Sequence, residues 1–394
     1  MRALALRGAG GSGQGAVGIC PPVALAVTPS TSTYAVDVID CYDAFVNLEG
    51  AWNDAVERAG IPHPFLRHEW VRTWWDAFGA GAALHILVVR REGRIAAIAP
   101  LMRDRTTMYG IPVRRIRFIQ NDHTPRTDFI IASDPDGSCR AIWEALKDDR
   151  PWDVLQLSQV EQTSPIAARI RVLATEQGQR IGIWKSGDSP YLPLEGTWDS
   201  YFGSLPAKFR SNLRNRLSRL VKIGEPSLEI LTDRDAIAAA RDDAYRLEAS
   251  GWKKESGTAI TSDPAVHAFY SSLIERGAAA GWLHLIFLRV GDRRIATSYG
   301  ATFNGRLMLF KTGYDPEYHT CSPFKLLTYL ALQEAYRQRL VELDFLGDAE
   351  PWKLEWTSAL RGHDWMFVFA RNGRARFLHN LKFQWVPEFK KWRR

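Results

Sequence analysis

Two stretches of the chain, about half its length apart, repeat one pattern of apolar and polar positions. Leu84-His85-Ile86-Leu87-Val88-Val89-Arg90 runs into a Glu-Gly turn, Arg94 and Ile95-Ala96, and Leu283-His284-Leu285-Ile286-Phe287-Leu288-Arg289 runs into a Gly-Asp turn, Arg293-Arg294 and Ile295-Ala296. A short apolar run bounded by turn residues predicts a buried strand, and the run that follows makes each a β-hairpin. Both are preceded by an aromatic-bearing helical stretch, Glu69 to Phe78 and Ala265 to Ala280, that stops at Gly and Ala. The repeat predicts a duplicated architecture, with the two hairpins at equivalent places in two halves that superpose as two mixed sheets.

The remaining pattern fills in both halves. The first carries predicted strands near Val113 to Ile119, Phe129 to Ala132, Val154 to Leu157 and Ile181 to Lys185, with helices from Ser138 to Lys147 and Ser164 to Gln177. The second carries a strand at Leu228 to Leu231, helices at Arg234 to Glu248 and Pro264 to Ala280, three strands from Leu283 to Tyr314, a helix from Pro323 to Arg339 and a strand at Val341 to Leu346. Strands flanked by helices, with antiparallel hairpins among them, predict a mixed-sheet α/β fold. The expected segments are a disordered leader over 1–33, an N-terminal half over 34–198, a basic linker helix over 199–226, a C-terminal half over 227–370 and a basic aromatic tail over 371–394. From Lys208 to Lys222, Phe209, Leu213, Leu217 and Leu220 recur at helical spacing among six Lys/Arg and no acidic residue.

At 394 residues the chain exceeds one ordinary core of roughly 150 residues, which agrees with two domains. The net charge of +7 is concentrated in the tail, where eight Lys/Arg stand against one Glu, so the body is neutral and does not favour nucleic acid as a partner. The same tail, with Phe377, Phe383, Trp385, Phe389 and Trp392 among its charges, could lie on anionic lipid as a peripheral contact. The 15 Trp predict aromatic-rich packing or a binding groove. Four dispersed cysteines show neither zinc-binding nor disulfide-scaffold spacing, so no metal is expected and a reducing, cytoplasmic setting is. The apolar stretch from Ala16 to Val27 is broken by Pro21-Pro22 and is too short to span a bilayer.

The strongest local chemistry lies at Lys311-Thr-Gly-Tyr-Asp-Pro-Glu-Tyr-His-Thr-Cys-Ser-Pro-Phe-Lys-Leu-Leu327, where a strand ends in a polar loop and a helix begins. Ser322 occupies an N-cap position with Pro323 at the first helical position. Unpaired amides at such a helix start suit a pyrophosphate, which makes Ser322, Phe324 and Lys325 the expected contacts to a donor; a well-capped core helix fits the spacing equally. Arg214, in the linker helix, is a candidate for receiving phosphate or substrate. No Ser/His/Asp order, HExxH, Walker-type loop or dinucleotide fingerprint is present.

From Leu283 onward, the order of hairpin, strand ending Gly313-Tyr314-Asp315, Ser322-Pro323 helix, Glu342-Leu-Asp-Phe-Leu-Gly347 and Glu350-Pro-Trp-Lys353-Leu-Glu-Trp356 resembles the GNAT-type domain of CelD/BcsL-like acetyltransferases. It is similar, more distantly, to the FemABX peptidoglycan aminoacyltransferases. The likeness extends to Phe65-Leu-Arg-His-Glu-Trp70, the linker helix and Gly251-Trp252-Lys253. It implies two tandem GNAT-like domains and transfer of an acyl group from acetyl-CoA, or another acyl-CoA, to an amine or hydroxyl of a small molecule, sugar or polysaccharide precursor, with a link to exopolysaccharide synthesis. The glycine-rich pyrophosphate loop of ordinary GNAT enzymes is absent, so acyl-CoA rests on the resemblance. Acyl transfer needs a group that polarises the carbonyl, a base for the acceptor and an acid for the leaving group. The expected catalytic residues are Lys353, Asp344 and Tyr314, with His319 and Glu355 as further candidates; Trp252, Lys253, Trp352 and Arg214 are the expected substrate contacts. An aminoacyl-tRNA-dependent transferase and a noncatalytic GNAT-like partner of an exopolysaccharide machine are the alternatives.

Overall fold

The computed structural model describes residues 33–250, 257 and 259–386. Fifteen strands are described: β1 (Tyr34–Ile39), β2 (Ala83–Leu84), β3 (Ile86–Arg91), β4 (Arg94–Ala99), β5 (Leu101–Met108), β6 (Ile111–Phe118), β7 (Ile130–Ile131), β8 (Val154–Glu161), β9 (Arg180–Pro193), β10 (Pro226–Leu231), β11 (Leu283–Val290), β12 (Arg293–Phe303), β13 (Arg306–Tyr314), β14 (Glu342–Asp344) and β15 (Leu360–Phe369). The helices are α1 (Tyr42–Asn47), α2 (Glu49–Arg58), α3 (His68–Phe78), α4 (Pro135–Asp148), α5 (Pro165–Glu176), α6 (Trp198–Ser204), α7 (Ala207–Val221), α8 (Arg234–Glu248), α9 (Pro264–Ala279), α10 (Pro323–Arg337), α11 (Pro351–Leu354) and α12 (Gly373–Asn380). This is a mixed α/β fold.

The two hairpins occupy equivalent positions, down to a shared irregularity. β3 pairs antiparallel with β4 and slips register between Val89 and Arg90, while β11 pairs with β12 and slips between Leu288 and Arg289. The two hairpins thus share one bulge, which re-aims the side chains beyond it. Arg90 lies opposite Ile95 and Arg289 opposite Arg294, so the Ile-Ala pairs of the two hairpins are offset by one residue in space. Further along, β6 pairs parallel with β8 over Arg115–Arg117, as β13 pairs parallel with β14 over Arg306–Met308.

The halves do not form two separate sheets. β9 follows β8 in sequence but pairs with β14 of the other half, β15 follows β14 but pairs with β8, and β9 and β15 pair with each other. Each half therefore places its last strand on its partner's sheet edge, which satisfies both open edges and gives one sheet of 11 strands, β10-β11-β12-β13-β14-β9-β15-β8-β6-β5-β2. A second sheet, β1-β3-β4-β7, separates where Pro100, which has no N–H to donate, interrupts the path from β4 to β5.

Aromatic packing closes the seam. Trp70 on α3 lies 5.9 Å from Phe269 on α9 and 6.0 Å from Trp282, and Arg276 on α9 bonds Asp76 on α3 at 2.7 Å. Trp52, Trp70, Trp74, Trp143 and Trp356 are fully buried, so much of the tryptophan content serves the core. The helix starts repeat as well. Asp134 before Pro135 and Ser322 before Pro323 both stand in the left-handed region, at φ 40° and 50°. The Ser322-Pro323 start thus has a counterpart in the first half. Ser322 closes the preceding 3-10 turn, Pro316–Cys321, and makes no side-chain cap bond, whereas Asp134 caps, accepting from Gly137 N at 3.1 Å.

Candidate functional site

β13 and β14 pair only over Arg306–Met308, after which the strands part. The opening is a groove of about 650 Å³, lined along β13 from Leu309 to Tyr314, by Pro316 and His319 of the following turn, by Ser322, Phe324 and Lys325 at the start of α10, and by Phe345, Glu350, Trp352 and Lys353. Its wall is aromatic: Trp352 meets Phe324 edge-on at 4.9 Å and Phe345 at 5.9 Å. The cationic helix α7 lies beside its mouth, with Arg219 reaching Thr320 O at 3.4 Å and Phe209 beneath the Lys325 ammonium at 5.7 Å.

A second cavity, of about 280 Å³, lies on the seam between the halves. Asp122 to Pro125, Gln159 and Ser186 to Ser189 line it from the first half, and Leu309 to Lys311, Phe345 to Asp348, Tyr270, Lys353 and His363 from the second. The groove and the cavity share Leu309, Phe310, Lys311, Phe345 and Lys353, so they meet end to end. The polar loop at Asn121 to Arg126 is therefore part of this cavity's wall.

Two histidines give the cavity its chemistry. Burial, and then the Lys311 ammonium, push His123 down to about 4, and its Nδ1 stands 3.3 Å from the Tyr270 hydroxyl. Burial, and then Arg126, push His363 down to about 4 as well, and its buried Nε2 has no hydrogen-bond partner among the described residues. Both rings are neutral near pH 7, the form able to accept a proton. Neither was named as a catalytic candidate from the sequence. His123 was discoverable as part of the Asn121–Arg126 loop, whereas His363 sits inside β15 with no local signature.

The expected catalytic residues prove to be spread out. Lys353 is buried and lies at the junction, but its Nζ donates to Leu346 O at 2.7 Å and Asp348 O at 2.9 Å and stands 3.3 Å from the Glu350 carboxylate. These three partners match its three donors, so it clamps the loop that walls both cavities. Asp344 is fully buried on β14, ion-paired with Arg126 and with Arg361 at 2.7 Å, and accepts from Leu346 N at 2.9 Å. Tyr314 lies at the outer end of the groove, three residues beyond Lys311, or roughly 10 Å along an extended strand.

Of the expected donor contacts, Ser322, Phe324 and Lys325 all line the groove, with Lys325 ion-paired to Glu355. Trp352 lines the groove and not the seam cavity. Arg214 lines neither, because Phe209, Leu213 and Leu220 turn the other face of α7 inward and leave it exposed over the Phe202 ring. Trp252 and Lys253 lie outside the described residues. His319 is exposed and turned to Pro316 O, and Cys321 is buried. Among the described residues no cluster of metal-ligating side chains is found, and no helix is long and apolar enough to cross a membrane.

Residues 207–354, which contain the whole groove, match the family model described as an acetyltransferase (GNAT) domain. No curated protein matches the chain significantly. Among solved structures, the chain is similar to FemX at a TM-score of 0.55 and 13% identity, covering 84% of this chain and 97% of that one. It is similar to a conserved Bacteroides thetaiotaomicron protein of unknown function at 0.54 and 10%, covering 84% and 99%. It is similar to the C-terminal domain of a putative lysylphosphatidylglycerol synthetase from Agrobacterium fabrum at 0.51 and 11%, covering 84% and 96%. At these identities the likeness is one of fold, a tandem arrangement that extends over both halves.

Proposed function

We propose that the protein is an acyltransferase that takes its acyl donor in the groove between β13 and β14 and its acceptor amine in the seam cavity. The observation that carries this reading is the end-to-end meeting of the two spaces at Leu309–Lys311, Phe345 and Lys353, which supports a donor carbonyl in one meeting an acceptor nitrogen in the other. With Nδ1–H of His123 donating to the Tyr270 hydroxyl oxygen, Nε2 is the basic nitrogen. The acceptor nitrogen attacks the acyl carbon and its proton passes to Nε2. The bond from the acyl carbon to the leaving sulfur or oxygen breaks, the leaving group takes a proton from solvent through the open groove, and Nε2 gives its proton up to solvent, which restores the neutral ring.

Acyl-CoA is the donor this reading favours, because Phe324, Trp352 and Phe345 offer an apolar wall to a thioester arm and α7 offers cations to a phosphate group. A second reading has its own support: the unbroken cationic run of α7 at the groove mouth, with Arg219 at Thr320, suits the longer polyanion of an aminoacyl-tRNA. An acceptor drawn from exopolysaccharide precursors, and a cytoplasmic setting, belong to the same proposal. The test is thermal stabilisation of the full chain by acetyl-CoA, CoA or aminoacyl-tRNA, with Phe324→Ala as the groove variant. Acetyl-CoA should raise the melting temperature and Phe324→Ala should weaken that effect. Stabilisation by aminoacyl-tRNA alone transfers support to the second reading, and stabilisation by none of the three sinks both.

A further inference from the structure

A third space, in the first half, has the chemistry of a ligand site distinct from the groove and the seam cavity. It is a cavity of about 420 Å³ beside the end of α2 and the starts of α4 and α5, at Ala59, Pro135 and Ser164-Pro165. The groove stands in the same relation to the second half, beside Ser250 after α8 and the starts of α10 and α11. The duplication has thus produced a second opening, but its walls differ. Ile61, Pro62, Leu66, Phe129, Ile131 and Ile166 make it largely apolar, and its ionisable groups are Asp128, Glu161, Arg126 and His63.

The charges do not balance within the wall. Arg126 is engaged by Asp344 and stands 3.4 Å from Glu161. Asp128 accepts from Ser164 Oγ at 2.6 Å and from Phe129 N at 2.8 Å, and no ion pair to it is found among the described residues. Burial raises its carboxyl to about 6, which leaves it ionised near pH 7. His63 is 7% exposed and its buried Nδ1 has no hydrogen-bond partner among the described residues. Burial and the nearby Arg126 and Arg361 hold its ring neutral. A carboxylate without a cation and an unpartnered imidazole nitrogen, set in an apolar wall, together call for a ligand that brings a positive charge and N–H donors on a hydrocarbon body.

We propose that this cavity is a binding site for a small primary amine with an apolar body, whose ammonium group pairs with Asp128 and donates to His63. The site does not depend on the acyl-transfer reading, since it shares no lining residue with the groove or the seam cavity.

Isothermal titration of the full chain with benzylamine, and with benzyl alcohol as the uncharged analogue, tests it. Benzylamine should bind saturably and about tenfold or more tighter than the alcohol, a difference of ~1.4 kcal/mol. Asp128→Asn, which keeps an acceptor for Phe129 N, should remove most of that preference, and Ile166→Trp should block binding by filling the space. Tyr270→Phe, in the seam cavity, should leave benzylamine binding at the first-half site intact. Circular dichroism and melting temperature establish that each variant folds, and if Ile166→Trp does not, the Asp128→Asn comparison still decides. Absence of saturable binding, equal affinity for amine and alcohol, or benzylamine affinity unchanged in Asp128→Asn would overturn the proposal.

Discussion

Arg126 of the first half and Asp344 of the second form an ion pair in which the side chains are 4% and 0% exposed. Arg361 completes it, bonding Asp344 at 2.7 Å and Glu342 at 3.0 Å, so the seam holds a largely buried charge network. Removing one member of such a network leaves a buried charge uncompensated. Arg126→Met should therefore cost about 3–5 kcal/mol in urea unfolding, and adding Asp344→Leu should recover part of it. An Arg126→Met variant as stable as the parent would show that the pair does not hold the halves together.

Lys353 is expected to act through position. Its three donors are directed at Leu346 O, Asp348 O and Glu350 around a turn in which Leu346 and Gly347 take φ of 53° and 58°. Lys353→Met takes the ammonium donor from the buried Leu346 carbonyl and the part-buried Asp348 carbonyl and should cost about 1–3 kcal/mol. Donor affinity should fall along with stability, and Lys353→Arg should not restore it, because a planar guanidinium cannot reproduce the ammonium geometry. A variant that binds donor normally, keeps its stability and loses only turnover would instead assign Lys353 to the transition state.

Stability should fall on mild acidification. His363 titrates at about 4 in the folded chain against 6.5 for the free group, so the unfolded chain binds more protons between those values. Its contribution is complete above pH 6.5 and is lost as pH falls toward 4, and His85 and His123 act in the same direction. Asp128, raised from 3.8 to about 6, opposes them over part of this range. Melting temperatures of the parent and His363→Gln across this interval check the sign. The substitution should flatten the slope, and an unchanged slope would mean that His363 is not held neutral.

Gly313 should not tolerate a side chain. A Cβ there would fall 2.5 Å from Glu248 Cα and into Leu247 O, both backbone atoms at the end of α8. Gly313→Ala should therefore push β13 off α8, lower the melting temperature and weaken donor binding, because Gly313 lines the groove. Unaltered melting and donor affinity would show that the close approach is relieved at no cost.

What the sequence alone determined was local and periodic. The twin hairpins, the helices around them and the mixed α/β class follow from apolar runs, turn residues and helix starts, because these act over a few residues and recur in both halves. The groove was legible for a similar reason: Ser322, Phe324 and Lys325 are near neighbours at one helix start, and Trp352 stands at the next, just after β14. The tertiary structure decided what depends on distant pairing. Nothing within β9 or β15 says that each joins the other half's sheet, since an open edge accepts any strand of matching register. That exchange brings Ser186 to Ser189 and His363 to the cavity containing His123, and it seals Asp344 between Arg126 and Arg361. A motif records which residues stand in order along the chain, whereas burial and charge partners, which pair a carboxylate inside the seam and hold an imidazole neutral, are set by residues far away along it.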